Sequence, residues 1–576
     1  MTKRLVALLL ALIMLLACLV GCGQKEDEIE NIAAEGSERT TTLSMYLMSE
    51  EEVSKEQALA IQEAVNKITK SKFKTQLVLH YFTEDEYYDA LDEAYSKTLD
   101  ADLEAPEETE ALKGEKESET AEETYVDQYG VVQLKYPTIP DYQVDLFYIS
   151  GYDRLNEFIE QEKVEELSTE LTNASKTIKS YVHPSYLDSM NSICNGVYAI
   201  PGNAPIGEYT YILLNKEILK EYNHVPEDFD SIFCKNSQYL LDLVSKHNKD
   251  YVPFRSFTGD PLDISHMSYV NIDKNDEFDN KTFSLIGSYY VENERPDANI
   301  KIYNTNGQRF QNEFKTLVSY KENGYYGTKE DANKPFAMGY IKGGLEVVEQ
   351  YKDDYEIIVH ETPMLESKDV FENMFAVSSD TDDLSRSMEI LTYLYTNKDF
   401  NNLLVYGIEG ENYEFVDSDE LDENGKPYQL VNRYANNEYV MSPEKLGNML
   451  LSYPTVGQSP RINEMYKQQN MDSSVSPVMG MSTGLVLENG EFSYEYAYYL
   501  RDLSSQIFDE LIAIDKVEDV DPYFEKLRNL ERQDKMFGKV TNTAALYPNG
   551  EEAGGVYSLP ALFEEWKKMQ NTSSGE

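Results

Sequence analysis

The pattern of apolar and polar positions near the start of the chain predicts a β-α-β-α opening. Residues 41–48, TTLSMYLM, alternate as in a half-buried strand. Ser49 followed by Glu52 has the spacing of a capping box, which predicts a helix start there. A second strand is predicted over 74–82 and a second helix over 85–96. The apolar stripe of the first helix consists of Val53, Ala58, Ile61, Val65 and Ile68.

Strands and helices continue to alternate further along the chain. This alternation implies crossover connections and a mainly parallel sheet, which is the α/β class. The predicted elements are a strand over 143–149 with a helix to about Glu162, a strand, turn and helix over 195–222, helices near 308–323 and near Gly343, a strand and helix over 374–397, and a mostly helical tail over 495–570.

A run of acidic residues with Ala and Thr interrupts this pattern over 98–124. A segment with few apolar residues and many like charges cannot bury enough apolar surface to offset the conformational entropy lost on folding. We therefore expect a solvated, largely disordered insertion in the first part of the fold, with partial helix as the alternative.

The N-terminus has the features of an export signal. Lys3 and Arg4 precede the apolar run Leu5–Val20, and these sixteen residues would span about 24 Å as a helix, less than the ~30 Å of a bilayer core. Leu19-Val20-Gly21-Cys22 is similar to the bacterial lipobox. We therefore predict a signal peptide over 1–21, a lipid anchor on Cys22 and a flexible tether over 22–40; a signal peptide with an incidental cysteine is the alternative.

Charge and size narrow the possible functions. The formal net charge of −53 argues against nucleic acid, because phosphate binding needs clustered Lys and Arg. About 530 residues remain after the tether, which is too many for one ordinary core, so two or more lobes are expected. Cys194 and Cys234 either pair or stay as free thiols, and their spacing does not decide between these.

Catalytic and metal-binding motifs are weak. Gly480-Met481-Ser482-Thr483-Gly484 matches a nucleophile elbow, but the extended sequence LVLENGEF follows where a helix is required, so a catalytic Ser482 is not favoured. The six histidines are dispersed without metal-ligand spacing, and 417–425 does not match an EF-hand loop. No carboxylate pair stands out for glycoside hydrolysis. We predict a non-enzyme without metal or cofactor.

Several short stretches occur in the order found in one known family. After the lipobox come VDLFYIS (144–150), KVEEL (163–167), GVYAIP (196–201) and LLNKEILKEY (213–222). Together they resemble the family 1 extracellular solute-binding lipoproteins of bacterial ABC importers. NLLVYGIEGENYEF (402–415) with ENGKPYQL (423–430) is similar to the LipO-type branch, although Asn412 stands where that signature often has His.

The resemblance implies a type II periplasmic-binding-protein fold, in which two α/β lobes are joined by hinge strands and a solute binds in the cleft between them. The chain is then expected to cross between lobes near 205–212, 362–370 and 408–416. The corresponding lobes are 41–208 with 370–410, and 209–369 with 411–570 including the helical tail.

The resemblance also implies a function. We expect a monomeric receptor on the extracytoplasmic face of the cell membrane, which captures a small polar solute, a sugar or oligosaccharide, and delivers it to an ABC permease. A secreted glycosidase or esterase, and a sensing surface lipoprotein without a transporter, are the alternatives.

Tyrosines near strand ends and crossings are the candidate ligand contacts, because a phenol ring stacks on a sugar face and its hydroxyl replaces water. Tyr46 is expected at the carboxyl end of the first strand, and Tyr152 follows the strand that ends at Ser150. The other candidates, from the crossings and the second lobe, are Glu208, Tyr209, Tyr340 and Tyr413.

Overall fold

The computed structural model describes most of the chain between residues 40 and 533. The described residues are 40–103, 124–126, 132–134, 142–257, 268–269, 288–291, 300–303, 308–422, 424–435, 437–476, 479–480 and 506–533. The predicted signal peptide, the anchor Cys22, the tether up to residue 39, Ser482, most of the acidic insertion and the tail beyond 533 lie outside them.

The described residues form eighteen strands, which are numbered in chain order. They are β1 Thr41–Ser49, β2 Thr75–Thr83, β3 Thr124–Val126, β4 Val132–Leu134, β5 Leu146–Ile149, β6 Ala199–Pro201, β7 Tyr209–Asn215, β8 Val252–Ser256, β9 Ser268–Tyr269, β10 Ser288–Val291, β11 Ile300–Tyr303, β12 Phe336–Gly343, β13 Tyr355–Glu361, β14 Met364–Leu365, β15 Met374–Val377, β16 Tyr413–Leu421, β17 Pro427–Arg433 and β18 Ser474–Val475.

The α-helices are numbered in the same way. They are α1 Lys55–Phe73, α2 Glu84–Leu103, α3 Tyr152–Glu160, α4 Ser168–Thr172, α5 Pro184–Cys194, α6 Lys216–Glu221, α7 Lys235–His247, α8 Gln308–Glu322, α9 Glu346–Tyr351, α10 Ser367–Phe371, α11 Leu384–Thr396, α12 Lys398–Tyr406, α13 Ile462–Asp472 and α14 Val517–Gln533. Single 3₁₀ turns include Pro443–Lys445 and Met449–Leu451.

The first large sheet has the strand order β2-β1-β5-β15-β6. β1 runs parallel to β2 and β5, whereas β15 runs antiparallel to both β5 and β6. The predicted β-α-β-α opening is confirmed, with α1 as the crossover between β1 and β2. Strands β2, β1, β5 and β6 therefore point the same way, and their carboxyl ends share one edge.

The predicted start of the first helix is wrong. Ser49 is not a helix cap but the last residue of β1, where it is buried and its Oγ donates to the Phe82 carbonyl at 3.3 Å. Helix α1 begins at Lys55, and its cap is Ser54, whose Oγ accepts from the Gln57 N–H at 3.4 Å. Pairing with β2 keeps β1 extended to its end, which outweighs the local capping signal.

The second large sheet has the order β13-β7-β12-β8 and is mixed. β12 lies antiparallel to β7 and parallel to β8. Ile212 and Leu214 of β7, Phe254 of β8 and Met338 of β12 form a core with helices α6 and α7. The two large sheets thus have separate hydrophobic clusters, and the chain is a two-lobed α/β protein.

Three short segments connect the lobes in the part of the chain that the structure describes. Residues 202–208 lead from β6 to β7, and residues 362–373 lead from β13 to β15. The third is β18, which pairs in parallel with β14 of the second segment, Met364 opposite Ser474. We expected the third crossing near 408–416; those residues instead lead into the hairpin β16–β17.

The segment after 410 is divided between the two lobes. The sequence assigned 411–570 to the second lobe, but Tyr413, Val431 and Tyr439 belong to the hydrophobic cluster of the first sheet. Helix α14, in contrast, packs on α8 of the second lobe, where Lys315 Nζ lies 2.7 Å from Asp521 Oδ2. Long-range packing, which the local pattern does not encode, decides this division.

Both cysteines of the described chain are free thiols. Cys194, at the end of α5, packs against the first cluster, whereas Cys234 caps α7 in the second lobe and accepts from the Ser237 N–H at 3.4 Å. The question that the sequence left open is answered in favour of separate thiols. None of the described helices combines the length and apolar character that a membrane span requires.

Candidate functional site

The strand ends of both lobes lie on the side of the connecting segments. β6 leaves the first sheet at its carboxyl end into 202–208, so the carboxyl ends of β1, β2 and β5 share that edge. In the second sheet, Gly343 at the end of β12 is paired with Tyr209 at the start of β7. A solute between the lobes would therefore meet loops that follow strands, where α/β proteins bind ligands.

Phenol and amide groups form the edge of the first sheet. Tyr148 Oη donates to Asn373 Oδ1 at 2.8 Å, which joins β5 to the segment before β15. The Ser150 N–H donates to Tyr88 Oη at 3.0 Å. Burial raises the pKa of Tyr88 and of Tyr152, in each case to about 12, so both phenols stay neutral at physiological pH. Neutral phenols both donate and accept, as sugar hydroxyls require.

Lys445 brings a positive charge to the same edge. Its Nζ lies 3.3 Å from Glu50 Oε1 and 3.4 Å from Glu84 Oε2, and these two glutamates directly follow β1 and β2. Only 17% of the Lys445 side chain is exposed, compared with 77% for Glu84. The cluster thus presents accessible carboxylate oxygens that a well-packed lysine holds in place, and such oxygens accept hydrogen bonds from sugar hydroxyls.

The facing edge of the second lobe is formed by the turn after β12. Tyr211 Oη donates to the Gly344 carbonyl at 3.1 Å, and the Gly344 N–H donates to Glu346 Oε1 at 2.9 Å. Burial raises the pKa of Tyr466 on α13, and the negative charges of Glu346 and Glu444 raise it further. The negative charges of carboxylates from both lobes therefore act on Tyr466.

Helix α13 clamps the first connecting segment. Asn470 Oδ1 accepts from the Ile206 N–H at 2.7 Å, and its Nδ2 donates to the Ala204 carbonyl at 3.0 Å. Gln469 Nε2 donates to the Gly207 carbonyl at 2.6 Å. Gly207 has a φ of +48° and approaches Met364 so closely that a Cβ would contact the Met364 carbonyl oxygen. The crossing segments are thus packed side by side, as a hinge requires.

The structure exposes only two of the six candidate ligand residues. Tyr152 is half-buried at the start of α3, with its ring 5.2 Å from that of Phe371, and Glu208 is exposed in the first connecting segment. These two remain accessible to a solute, and their role stays a prediction.

The other four candidates are packed in the interior. Tyr46 is not at the end of β1, which continues to Ser49; it is 2% exposed and stacks on His80. Tyr209 is 2% exposed and donates to Asp472 Oδ2 at 2.6 Å. The remaining two, buried in the core of the second sheet and in the first cluster, are Tyr340 and Tyr413. In this conformation they stabilise the lobes rather than face a solute.

Sequence reasoning missed the charged residues of the site, although ligands of α/β proteins bind in the loops that follow strands and this criterion could have found two of them. Glu50 and Glu84 lie two residues beyond the predicted strands 41–48 and 74–82, but the prediction was restricted mainly to tyrosines. No local signal pointed to Lys445, because it reaches these glutamates from a segment several hundred residues away. Asn412, the departure from the family signature, is 4% exposed and accepts from the Ile408 N–H at 2.8 Å, so it stabilises its own turn.

Among the described residues, no group of three or more His, Cys, Asp or Glu side chains is arranged to hold a metal ion. The edge residues supply neutral phenols, amides and carboxylates around a lysine. This arrangement suits hydrogen bonding to hydroxyl groups.

Comparison with solved structures agrees with the two-lobed fold. The N-glycan transport solute binding protein NgtS from Streptococcus pneumoniae matches with a TM-score of 0.51 and 18% identity, over 86% of this chain and 97% of that chain. An HMO-binding solute-binding protein from Bifidobacterium longum infantis matches with a TM-score of 0.43 and 13% identity, over 87% of this chain and 98% of that chain. The chain therefore has the periplasmic-binding-protein fold of solute-binding proteins.

Neither a family model nor a curated protein matches the sequence. The similarity to the solved structures therefore establishes the fold of this chain and no closer relationship.

Proposed function

We propose that this chain is the solute-binding component of a bacterial ABC importer and that it captures a sugar or oligosaccharide between its lobes. The main observation behind the proposal is the hinge. The segments that connect the lobes are packed side by side, and the carboxyl ends of strands from both sheets lie next to them. Closure about such a hinge buries a solute and excludes water, and the ligand shifts the equilibrium by its preference for the closed form.

A carbohydrate suits the edge residues better than a peptide or a metal complex does. The phenols of Tyr88 and Tyr152 are neutral and accessible, and Glu50 and Glu84 offer acceptors for hydroxyl groups. The match to NgtS, an N-glycan transport solute binding protein, supports the same solute class. These residues bind and orient; the proposal requires no covalent chemistry from this chain.

A thermal-shift screen tests the proposal on the full-length chain in detergent. Mannose-containing glycans, milk oligosaccharides, maltodextrins, peptides and amino acids are compared. A solute at 100 times its Kd raises the free energy of unfolding by about 2.7 kcal/mol, which is a clear shift of Tm. We expect at least one carbohydrate, and no peptide, to produce it.

A pair of variants then locates the site. Tyr152→Ala removes a phenol at the first edge and is expected to weaken binding of that carbohydrate. Tyr239→Ala removes a phenol that is 58% exposed on α7, and it should bind as the wild type does. Stabilisation by peptides alone, or equal binding by both variants, would contradict the proposed cleft.

We also propose that the chain is a monomeric lipoprotein of the LipO-type branch, anchored through Cys22 on the extracytoplasmic face of the cell membrane. The lipobox-like sequence that ends at Cys22 supports this anchor. Several acyl chains on that cysteine would hold the protein stably on a membrane, where a single chain would not. Cys22→Ser should abolish incorporation of labelled palmitate and release the chain from membranes. Palmitate labelling that persists in the variant would rule out this anchor.

A further inference from the structure

A cavity of about 460 Å³ lies on the first lobe, and Tyr466 of helix α13 is among its lining residues. Its walls come from β17, the loop after the 3₁₀ turn Met449–Leu451, and helix α13. This volume is within the range of about 300–1,000 Å³ that is typical of small-molecule sites. The edge residues of the cleft, Glu50, Glu84 and Tyr152, are not among those that line it.

The charge of the cavity differs from that of the chain as a whole. The chain carries 104 acidic and 51 basic residues, yet no aspartate or glutamate is among the described residues that line the cavity. Arg433 is the charged side chain among them. Asn432, which also lines it, donates from Nδ2 to Glu414 Oε1 at 3.1 Å, but Glu414 itself is not part of the wall.

Arg433 is held in place without a carboxylate partner. One of its terminal nitrogens donates to the Met441 carbonyl at 3.0 Å, and its guanidinium carbon lies 5.0 Å from the centre of the Tyr406 ring. No ion pair within 4.0 Å is found for Arg433 in the described parts of the chain. Burial lowers its pKa, which reflects incomplete solvation of the cation. A positioned and poorly solvated guanidinium favours a carboxylate, which it binds with two parallel hydrogen bonds.

The remaining walls suit a sugar ring. Tyr453 and Tyr466 supply aromatic faces, and the amides of Gln458 and Asn463 supply polar groups. Lys398 Nζ lies 4.0 Å from the centre of the Tyr453 ring.

We infer that this cavity is a second binding site, which takes a saccharide unit that carries a carboxylate, such as a uronic acid. The inference does not depend on the proposed import function, since it rests on the cavity and on Arg433. The carboxylate pairs with Arg433, and the ring packs between the tyrosines and the apolar wall.

Isothermal titration of the full-length chain with D-glucuronate and with D-glucose tests the inference. The two sugars differ in the carboxylate, so glucuronate should bind at least about tenfold more tightly, and added salt should weaken it. Equal affinities, or no heat from glucuronate at millimolar concentrations, would overturn the second site.

Variants locate the binding and separate it from the cleft. Val456→Trp places a large side chain at a cavity residue that is 54% exposed, and it should abolish glucuronate binding. Val416→Trp makes the same change at a position that is 39% exposed on β16 and outside the cavity, so its binding should equal that of the wild type.

Arg433→Gln should weaken glucuronate binding at least about tenfold and leave glucose unaffected. If Arg433→Gln fails to fold, the comparison of Val456→Trp with Val416→Trp still shows whether glucuronate binds in the cavity. Binding that survives in Val456→Trp but disappears in Tyr152→Ala would assign the acid to the cleft and contradict the inference.

Discussion

Asp145 accepts a hydrogen bond from the backbone N–H of Ser44 at 2.8 Å across the first sheet, and both residues are fully buried. The same carboxylate accepts from Thr381 Oγ1 at 2.7 Å and from the Asp382 N–H at 3.1 Å. Asp145 therefore ties β1 to the turn after β15, on the side of the sheet away from the hinge.

Asp145→Ala should destabilise the first lobe strongly. It leaves the buried N–H of Ser44 and the hydroxyl of Thr381 without their acceptor, at a cost of about 2–4 kcal/mol. Urea unfolding followed by circular dichroism measures the effect. Asp188→Ala, at an exposed position on α5, is the control and should change stability by less than about 0.5 kcal/mol.

Gly407→Ala should be more destabilising than Gly410→Ala. Both glycines have a positive φ, +82° and +85°, so alanine is strained in either place, by about 1–3 kcal/mol. A Cβ on Gly407 would also collide with Oδ1 of Asn412, whereas nothing lies within 4 Å of one on Gly410. Denaturant unfolding of the two variants isolates the cost of the collision, and equal losses would show that Asn412 moves away freely.

Asp369 should make stability fall as the pH rises from about 4 to 7. Burial raises its pKa to about 7, above the ordinary 3.8, so the folded chain holds a proton that the unfolded chain releases. In the wild type the Glu366 N–H donates to Asp369 Oδ2 at 2.8 Å. Asp369→Asn keeps an oxygen that accepts this hydrogen bond, and it removes the pH dependence of stability that the carboxyl causes. The stability difference between variant and wild type should therefore grow in favour of the variant between pH 5 and pH 8, as measured by thermal unfolding.

Asn470→Leu should loosen the hinge clamp. It removes both the acceptor for Ile206 and the donor for Ala204 at a site that is 3% exposed, which costs about 2–3 kcal/mol. Asn470→Asp keeps the acceptor and should lose less. Hydrogen exchange at the Ile206 amide reports the change directly; unchanged protection in the leucine variant would mean that the clamp does not hold this segment.

Cys194 should react with thiol reagents much more slowly than Cys234 does. Burial raises the pKa of Cys194 to about 12, so almost no reactive thiolate forms at neutral pH. Cys234→Ser leaves Cys194 as the thiol of the folded lobes and keeps a good helix cap for α7. Mass spectrometry after timed alkylation of wild type and variant checks this, and comparable rates at the two positions would contradict it.

The sequence by itself determined the types of most elements and their order. β1, β2 and α11 follow from the periodicity of apolar residues within a few positions of each other, which is a local property of the chain. The two-lobed α/β class followed from the alternation of these elements and from the resemblance of short ordered stretches.

Tertiary structure alone decided which residues face the cleft. Tyr46 and Tyr340 satisfy every local criterion for a ligand contact, yet packing of neighbouring strands and helices buries them. Lys445 joins Glu50 and Glu84 only because a remote segment lies along the end of the first sheet, and β18 replaces the expected crossing through its pairing with β14. Such contacts depend on the summed packing of distant segments, for which neighbouring residues in the sequence carry no signal.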